Sequence, residues 1–502
     1  MKKIIFKFIN PFDFMASPIS FRHLCILALS LFPFILPAQP SVIQDETMPD
    51  DYLPAAFHES RREALRKIMP AHSVAVIFAY PTRKYSNDVD YRYHPNPDLY
   101  YFSGYREPHS LLILFKEPQV LGKLGSCREL LFVQKKNERA EQWTGKRLGA
   151  EGARQSLALN HVLNGEDFRD FPIDFSVFEK ILLAPFPVDI PDNPRDNADL
   201  FDLVKQFQVK ASGQETRFDQ KKYTELTAAL REIKTTEEML LLRKAIEISC
   251  QGQNEVMKAV HPGMSEREIQ GLHEFVHKKY GAEHVGYGSI IGSGENGCTL
   301  HYEENAKTRV GGSLILMDVG AEYHGYTADV TRTIPVDGKF SAEERAVYQL
   351  VFDAQEAAFR LLKEGCSWED INDAARQTIV TGLMKLGIAS NKEEANRYYP
   401  HGLGHHIGLD VHDRGTYDKL REGMVITIEP GIYIPSGSKC DPKWWGMAVR
   451  IEDDALITKN GYELLSHFAP RKIEDIEKLI ADPSALDDFK LPPLKSGEKK
   501  GF

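Results

Sequence analysis

Four apolar segments in the second half of the chain each carry an acid where strand packing would favour a hydrophobic residue. The first, Ser313-Leu314-Ile315-Leu316-Met317-Asp318-Val319-Gly320, is apolar on both faces around Asp318. In the second, Tyr326-Thr327-Ala328-Asp329-Val330-Thr331, a period of two puts Thr327, Asp329 and Thr331 on one face. Residues 321–325 between them read as a hairpin turn that brings Asp318 and Asp329 side by side. The third, Met424 to Gly431, contains Glu429. The fourth, Met447 to Asp453, sets Arg450 and Glu452 opposite Val449 and Ile451. A carboxylate inside an apolar strand costs several kcal/mol unless something compensates it. Few basic residues occur in these segments, so metal cations are the natural compensation, and four carboxylates balance two divalent ions.

A fifth ligand comes from the run His401-Gly402-Leu403-Gly404-His405-His406-Ile407-Gly408-Leu409-Asp410-Val411-His412, four histidines in twelve residues. Its glycines argue against a helix that presents His401 and His405 together, and suit a backbone that must approach something closely. Asp318, Asp329, Glu429 and Glu452, with a histidine from this cluster, therefore form a candidate site for two divalent cations.

The chain that must position them has 502 residues, too many for one ordinary core. Its net charge of −10 argues against nucleic acid as a partner and leaves a neutral peptide unopposed. Lys2, Lys3, Lys7 and Arg22 precede a short apolar run from Leu24 to Leu36, with Ala38 at a cleavage-like point. Residues 1–38 read as a signal peptide, with export and no stable membrane insertion after processing. Cys25 falls within that segment; the five cysteines that remain, Cys127, Cys250, Cys298, Cys366 and Cys440, are scattered and odd in number, without C-x-x-C spacing, and signal neither a disulfide framework nor a zinc knuckle.

Residues 39–220 alternate short apolar runs with turn residues, as in an α/β domain. Strands are expected at 73–78, 111–115 and 129–133, helices at 151–160 and 199–208, and a loop at 185–197. A second domain, 221–480, opens with helical spacing around Leu226–Leu230 and Met239–Ile246. Ser265 with Glu268 forms a helix-start signature. A polar tail, 481–502, follows.

The run Leu316-Met317-Asp318-Val319-Gly320 with Asp329, then His401-Gly402-Leu403-Gly404-His405, Ile428-Glu429-Pro430-Gly431 and Arg450-Ile451-Glu452-Asp453, resembles the metallopeptidase family of aminopeptidase P and prolidase. Asp98-Leu99-Tyr100-Tyr101-Phe102-Ser103-Gly104-Tyr105 and Trp143-Thr144-Gly145-Lys146-Arg147 resemble the amino-terminal domain of aminopeptidase P. The implied fold is α/β (α+β), a pita-bread catalytic domain preceded by a creatinase/aminopeptidase P-type amino-terminal domain. One stretch departs from the family: Tyr93-His94-Pro95-Asn96-Pro97 stands where a more polar, Gln-containing run is expected.

The resemblance implies that Asp318 chelates one metal, that His405 and Glu429 hold the other, and that Asp329 and Glu452 bridge them. An oxygen-rich set with one imidazole suits manganese better than a thiolate metal. Glu429 doubles as a proton shuttle, and His301 and His412 contact the substrate and stabilise developing charge. His401, Tyr433, Arg450, Asp98 and Trp143 are assigned to substrate binding or to orienting the ligands. The implied activity is that of an exported Xaa-Pro aminopeptidase acting on peptides with proline at the second position. Trp143 is expected to reach a neighbouring subunit's site in a homo-oligomer. An Xaa-Pro dipeptidase is the alternative with the same ligands. A metal-free peptide-binding relative is a further one, disfavoured because all five ligands are present.

Overall fold

The computed structural model describes residues 49–486 and 491. The segment assigned to export, and most of the 481–502 tail, lie outside the described residues. Among those described, no helix is long and apolar enough to cross a membrane. The five cysteines among the described residues are free thiols.

The first half is built on a five-stranded sheet in the order Val162–Asn164, Ser126–Val133, Leu111–Val120, Ser73–Phe78, Lys180–Leu183. The two outermost strands run parallel to their neighbours and the inner pairs are antiparallel. All six residues of Ser73–Phe78 are buried, which explains a run apolar on both faces. Helix Leu200–Lys210 starts where the side chain of Asp199 accepts from the Asp202 N–H. The helix expected at 151–160 is shorter, Gly149–Ser156. Ala158 turns into the left-handed region at φ 48°, the Arg62 guanidinium donates to its carbonyl at 2.8 Å, and Leu159 drops into the core at 1% exposure.

The expected 220/221 boundary falls at the start of helix Gln220–Arg231, whose N-cap is Asp219. The described residues from Tyr52 onward form one compact unit. Helices Thr236–Ala259, Glu266–Lys279 and Ala342–Phe359 each open with a capping box, from Thr235 and Glu238, Ser265 and Glu268, and Ser341 and Glu344.

Two long hairpins, 314–335 and 425–458, carry the acids. Each passes from one small sheet into another, and the ladder breaks where it does so. In the first, Leu314–Val319 pairs with Val330–Pro335, and Ala321–Tyr323 with Tyr326–Thr327, in one continuous register. The turn is therefore two residues, His324 and Gly325, both with positive φ (50° and 89°), rather than the five expected. At the break a Cβ on Gly320 would stand 2.0 Å from the Ala328 carbonyl oxygen, so only glycine fits. The second hairpin pairs Val425–Ile428 with Asp453–Thr458 and Gly431–Ile434 with Met447–Arg450.

Breaking a buried ladder frees carbonyls that must find donors. One buried glutamine serves each hairpin. Gln253, on helix Thr236–Ala259, donates to the carbonyls of Met317 at 2.9 Å and Val330 at 2.8 Å. Gln355, on helix Ala342–Phe359, donates to those of Ile428 at 2.9 Å and Ile451 at 3.1 Å. Replacing Gln355 with leucine leaves an apolar side chain there and removes the donor, together with the acceptor that Arg471 uses at 2.8 Å. It is expected to cost about 1–3 kcal/mol in denaturant melts; a loss below roughly 0.5 kcal/mol, the range of an inert substitution, would refute the clamp.

Candidate active site

Three of the four acids stand at the hairpin breaks. Asp329 lies between Tyr326–Thr327 and Val330–Pro335, Glu429 between Val425–Ile428 and Gly431–Ile434, and Glu452 between Met447–Arg450 and Asp453–Thr458. Asp318 alone sits within a strand, Leu314–Val319. At each break the backbone bonds a different segment. The Asp329 N–H donates to Asp454 Oδ2 (3.2 Å), that of Glu429 to the Leu403 carbonyl (2.7 Å) and that of Glu452 to the Thr331 carbonyl (3.1 Å). The registers on either side of the second break put Glu429 opposite Glu452. Like charges so placed repel.

The histidine run forms a loop, not a helix. Gly404 lies so close to the next strand that a Cβ there would be 1.9 Å from the Thr427 carbonyl oxygen. That approach lets the Thr427 N–H bond the His405 carbonyl at 2.9 Å and sets the imidazole among the acids. His405 Nδ1 donates to the His406 carbonyl at 3.0 Å, leaving Nε2 to face Asp329 Oδ2 at 3.5 Å, Glu429 Oε1 at 3.6 Å and Glu452 Oε1 at 4.0 Å.

These groups line one cleft of about 540 Å³ with Tyr287, Leu300, His301, Glu303, His401, His412 and Arg450. Asp318 is anchored by Arg450 Nη2 at 2.5 Å, whose Nη1 donates to the Tyr433 hydroxyl at 2.8 Å. Tyr433 lies 2.9 Å from His401 Nε2, while His401 Nδ1 donates to the Gly402 carbonyl. The hydroxyl therefore accepts from Arg450 and donates to a neutral imidazole. Burial, with Arg450 nearby, holds His401 down at about 4.

The electrostatics ask for more positive charge than the side chains supply. Burial drives Glu452 well above the carboxylate range, and Asp329, Glu429 and Asp318 add to it. Burial also pushes Glu429 up to about 8, with Asp329 and Asp318 reinforcing it against the pull of His405 and Arg450. Burial raises Asp318 against the pull of Arg450. Burial opposes ionisation of both Asp329 and His405, but their mutual attraction wins, lowering Asp329 and raising His405 to about 9.

The donor set fits a divalent metal. Glu452 Oε1 is buried without a hydrogen-bond partner. Donor atoms of Asp329, His405 and Glu452 all lie within 4.8 Å of one another. Ligands each about 2.1 Å from one ion stand in that range, beyond hydrogen-bond reach and too close for unneutralised acids.

Two sequence assignments fall elsewhere. Asp98 does not line the cleft. It is 2% exposed and its carboxylate is taken up by Tyr223 at 2.8 Å, Arg231 at 2.8 Å and Arg414 at 3.1 Å. Trp143, the last residue but one of helix Glu138–Thr144, is 85% exposed and lines no part of the cleft. The departing stretch is absent from the cleft too. His94 pairs with Glu322 at 2.8 Å, and Asn96 caps helix Pro97–Ser103. Sequence reasoning missed Tyr287, whose hydroxyl contacts Asp318 at 2.5 Å and Asp329 at 2.6 Å. It also missed Thr331 as the donor to Glu452 at 2.6 Å, although the strand period had put Thr331 on the Asp329 face.

Comparison with known proteins places this geometry. The model of metallopeptidase family M24 matches residues 241–459, and that of the aminopeptidase P N-terminal domain matches 58–174. The chain is 34% identical over 444 residues to Xaa-Pro aminopeptidase of Escherichia coli, covering 84% of this chain and 97% of that one. It is 35% identical to Xaa-Pro aminopeptidase of Haemophilus influenzae, over 85% and 98%. The structure of E. coli aminopeptidase P with the inhibitor Pro-Leu superposes with a TM-score of 0.75 at 32% identity, over 86% of this chain and 98% of that one. With its acids carried by two hairpins that follow an α/β amino-terminal part, the chain belongs to metallopeptidase family M24, as an aminopeptidase with the aminopeptidase P-type pita-bread fold.

Proposed function

We propose that this enzyme removes the N-terminal residue from peptides with proline at the second position. It does so with two divalent ions held by Asp318, Asp329, His405, Glu429 and Glu452, after export and as a homo-oligomer. The observation that carries the reading is that Xaa-Pro aminopeptidases align along both parts of the chain while one cleft gathers all five donor side chains. Manganese is the favoured metal, given four carboxylates and one imidazole. The basic and apolar amino-terminal segment supports export. The bare Trp143 indole supports a partner subunit.

When bound, the ions supply a water of lowered pKa and polarise the scissile carbonyl. The chain's own groups do the rest. Glu429 keeps 19% side-chain exposure, and its carboxyl stands at the cleft where it can take the proton of the attacking water and return it to the departing proline nitrogen. His412 packs on His405 with ring centroids 4.0 Å apart. Burial, then the neighbouring His405, lowers its pKa, so it enters the reaction as a neutral donor. With His301 it faces the oxygen on which charge develops. Arg450 and Tyr433 hold Asp318 and His401 in place.

A peptide panel tests this reading. The metal-loaded enzyme should release the first residue of Ala-Pro-Pro and longer Xaa-Pro peptides, lose that activity in chelator, and regain it with manganese at two ions per chain. Cleavage of Xaa-Pro dipeptides without release from Ala-Pro-Pro would establish the dipeptidase instead.

A further inference from the structure

The loop that brings Leu300 and His301 to the cleft also brings Glu303, and nothing in the chemistry above uses it. The loop is pinned on both sides of this residue. Tyr302 donates to Glu266 Oε2 at 2.9 Å and accepts from the Ala306 N–H at 3.0 Å. Asn305, at φ 47°, accepts from the Ile291 N–H at 2.9 Å and donates to the Ser289 carbonyl at 2.8 Å. Glu303 is exposed, and no cation or hydrogen-bond donor among the described residues engages its carboxylate.

A glycine makes room for that carboxylate. A Cβ on Gly288 would stand 2.7 Å from Glu303 Oε2, so the carboxyl fills the space a side chain would occupy. Gly288 follows Tyr287, which touches both Asp318 and Asp329. The carboxylate therefore stands in the same cleft as the acids, against the Gly288 backbone, with an open face. A carboxylate on the cleft without a partner among the described residues is available to a cation that enters it.

Resting on the aminopeptidase reading, we propose that Glu303 is a specificity determinant that receives a cationic group of the peptide. That group is an ammonium or guanidinium, from a basic side chain next to the scissile bond or from the N-terminal amine. Lysine- or arginine-bearing peptides gain most if the side chain is the source, and the gain shrinks with salt. Because the pair sits at the solvent-facing edge, the effect is about two- to fivefold in kcat/KM.

The test compares Ala-Pro-Pro, Arg-Pro-Pro and Ala-Pro-Arg on the metal-loaded wild type, Glu303→Gln and Glu303→Lys. A selective two- to fivefold loss on an arginine peptide in Glu303→Gln, with preference turned toward Glu-Pro-Pro in Glu303→Lys, supports the side-chain source. An equal loss on all three peptides, with metal content and melting temperature unchanged, supports the N-terminal amine. Unaltered kcat/KM on all three, or a uniform loss that tracks lost metal, overturns the proposal while leaving the aminopeptidase intact. Failure of wild type to cleave any of the three overturns the underlying reading instead.

Discussion

Glu452→Gln is expected to lower kcat/KM on an Xaa-Pro peptide by more than about a hundredfold, the upper end of what losing a ligand's support costs, and to lower bound metal measured by elemental analysis. The same change should make the metal-free protein more stable. Without an ion, Glu452 sits opposite Glu429 with a buried, unpartnered oxygen. Its folded-state pKa is raised well above that of the unfolded chain by burial and by Asp329. A raised carboxylate favours folding below the unfolded value and loses that advantage as pH climbs toward the folded one. Wild-type protein stripped of metal should therefore lose stability from about pH 5 upward, through the region near 8 where Glu429 also titrates. The amide cannot ionise, so the variant should lose less and exceed wild type by roughly 1–4 kcal/mol at the alkaline end. Metal should reverse the order. Thermal melts at several pH values, with chelator and with manganese, check this. A metal-free variant less stable than metal-free wild type at pH 8 would remove the repulsion argument and leave Glu452 an ordinary packing residue.

The acids were legible because burying carboxylates in apolar runs conflicts with local packing, and such a conflict shows in one dimension. Their placement at strand breaks was not. Alternation describes Tyr326 to Thr331 as one strand, whereas Ala328 and Asp329 fall between two sheets, because the second sheet is assembled from residues near 284 and 322. The same limit applies to the donors. Gln253 falls on the helical stripe of Ile246, Cys250 and Met257, all buried. A polar residue in such a stripe is a readable signal, but its target carbonyls lie more than sixty residues away. Asp98 misled for the opposite reason. Its motif is real, and its carboxylate turns inward toward Arg231, a partner fixed by tertiary packing.

Arg231 is where removal of one side chain should cost the fold most. It ends helix Gln220–Arg231, fully buried at 1% exposure. It donates to Asp98 at 2.8 Å, Asp410 at 2.7 Å and Asp413 at 2.5 Å. Lys234 adds a contact to Asp413 at 3.0 Å, and Arg414 one to Asp98 at 3.1 Å. Three acids thus face three bases. Burial opposes ionisation of Asp413, yet Arg231 and then Lys234 hold it below the usual carboxylate range. Asp410 keeps 40% side-chain exposure and can fall back on water. Asp98 and Asp413 cannot. Arg231→Met keeps the apolar stem of the side chain, loses the guanidinium and leaves two buried carboxylates short of charge, so a loss of about 3–5 kcal/mol is expected. Asp410 and Asp413 flank His412, so the loop that sets His412 and His405 should loosen, and kcat/KM should fall with stability. Adding Asp98→Asn to Arg231→Met should recover part of the loss, because the amide needs no counter-charge. Denaturant melts of the two single variants and the double variant measure that coupling. A single variant within about 1 kcal/mol of wild type, the worth of an exposed ion pair, would show that Arg231 is not the hub of this network. Recovery in the double variant, with activity still depressed, would assign to Arg231 the tethering of the histidine loop as well as the neutralisation of buried charge.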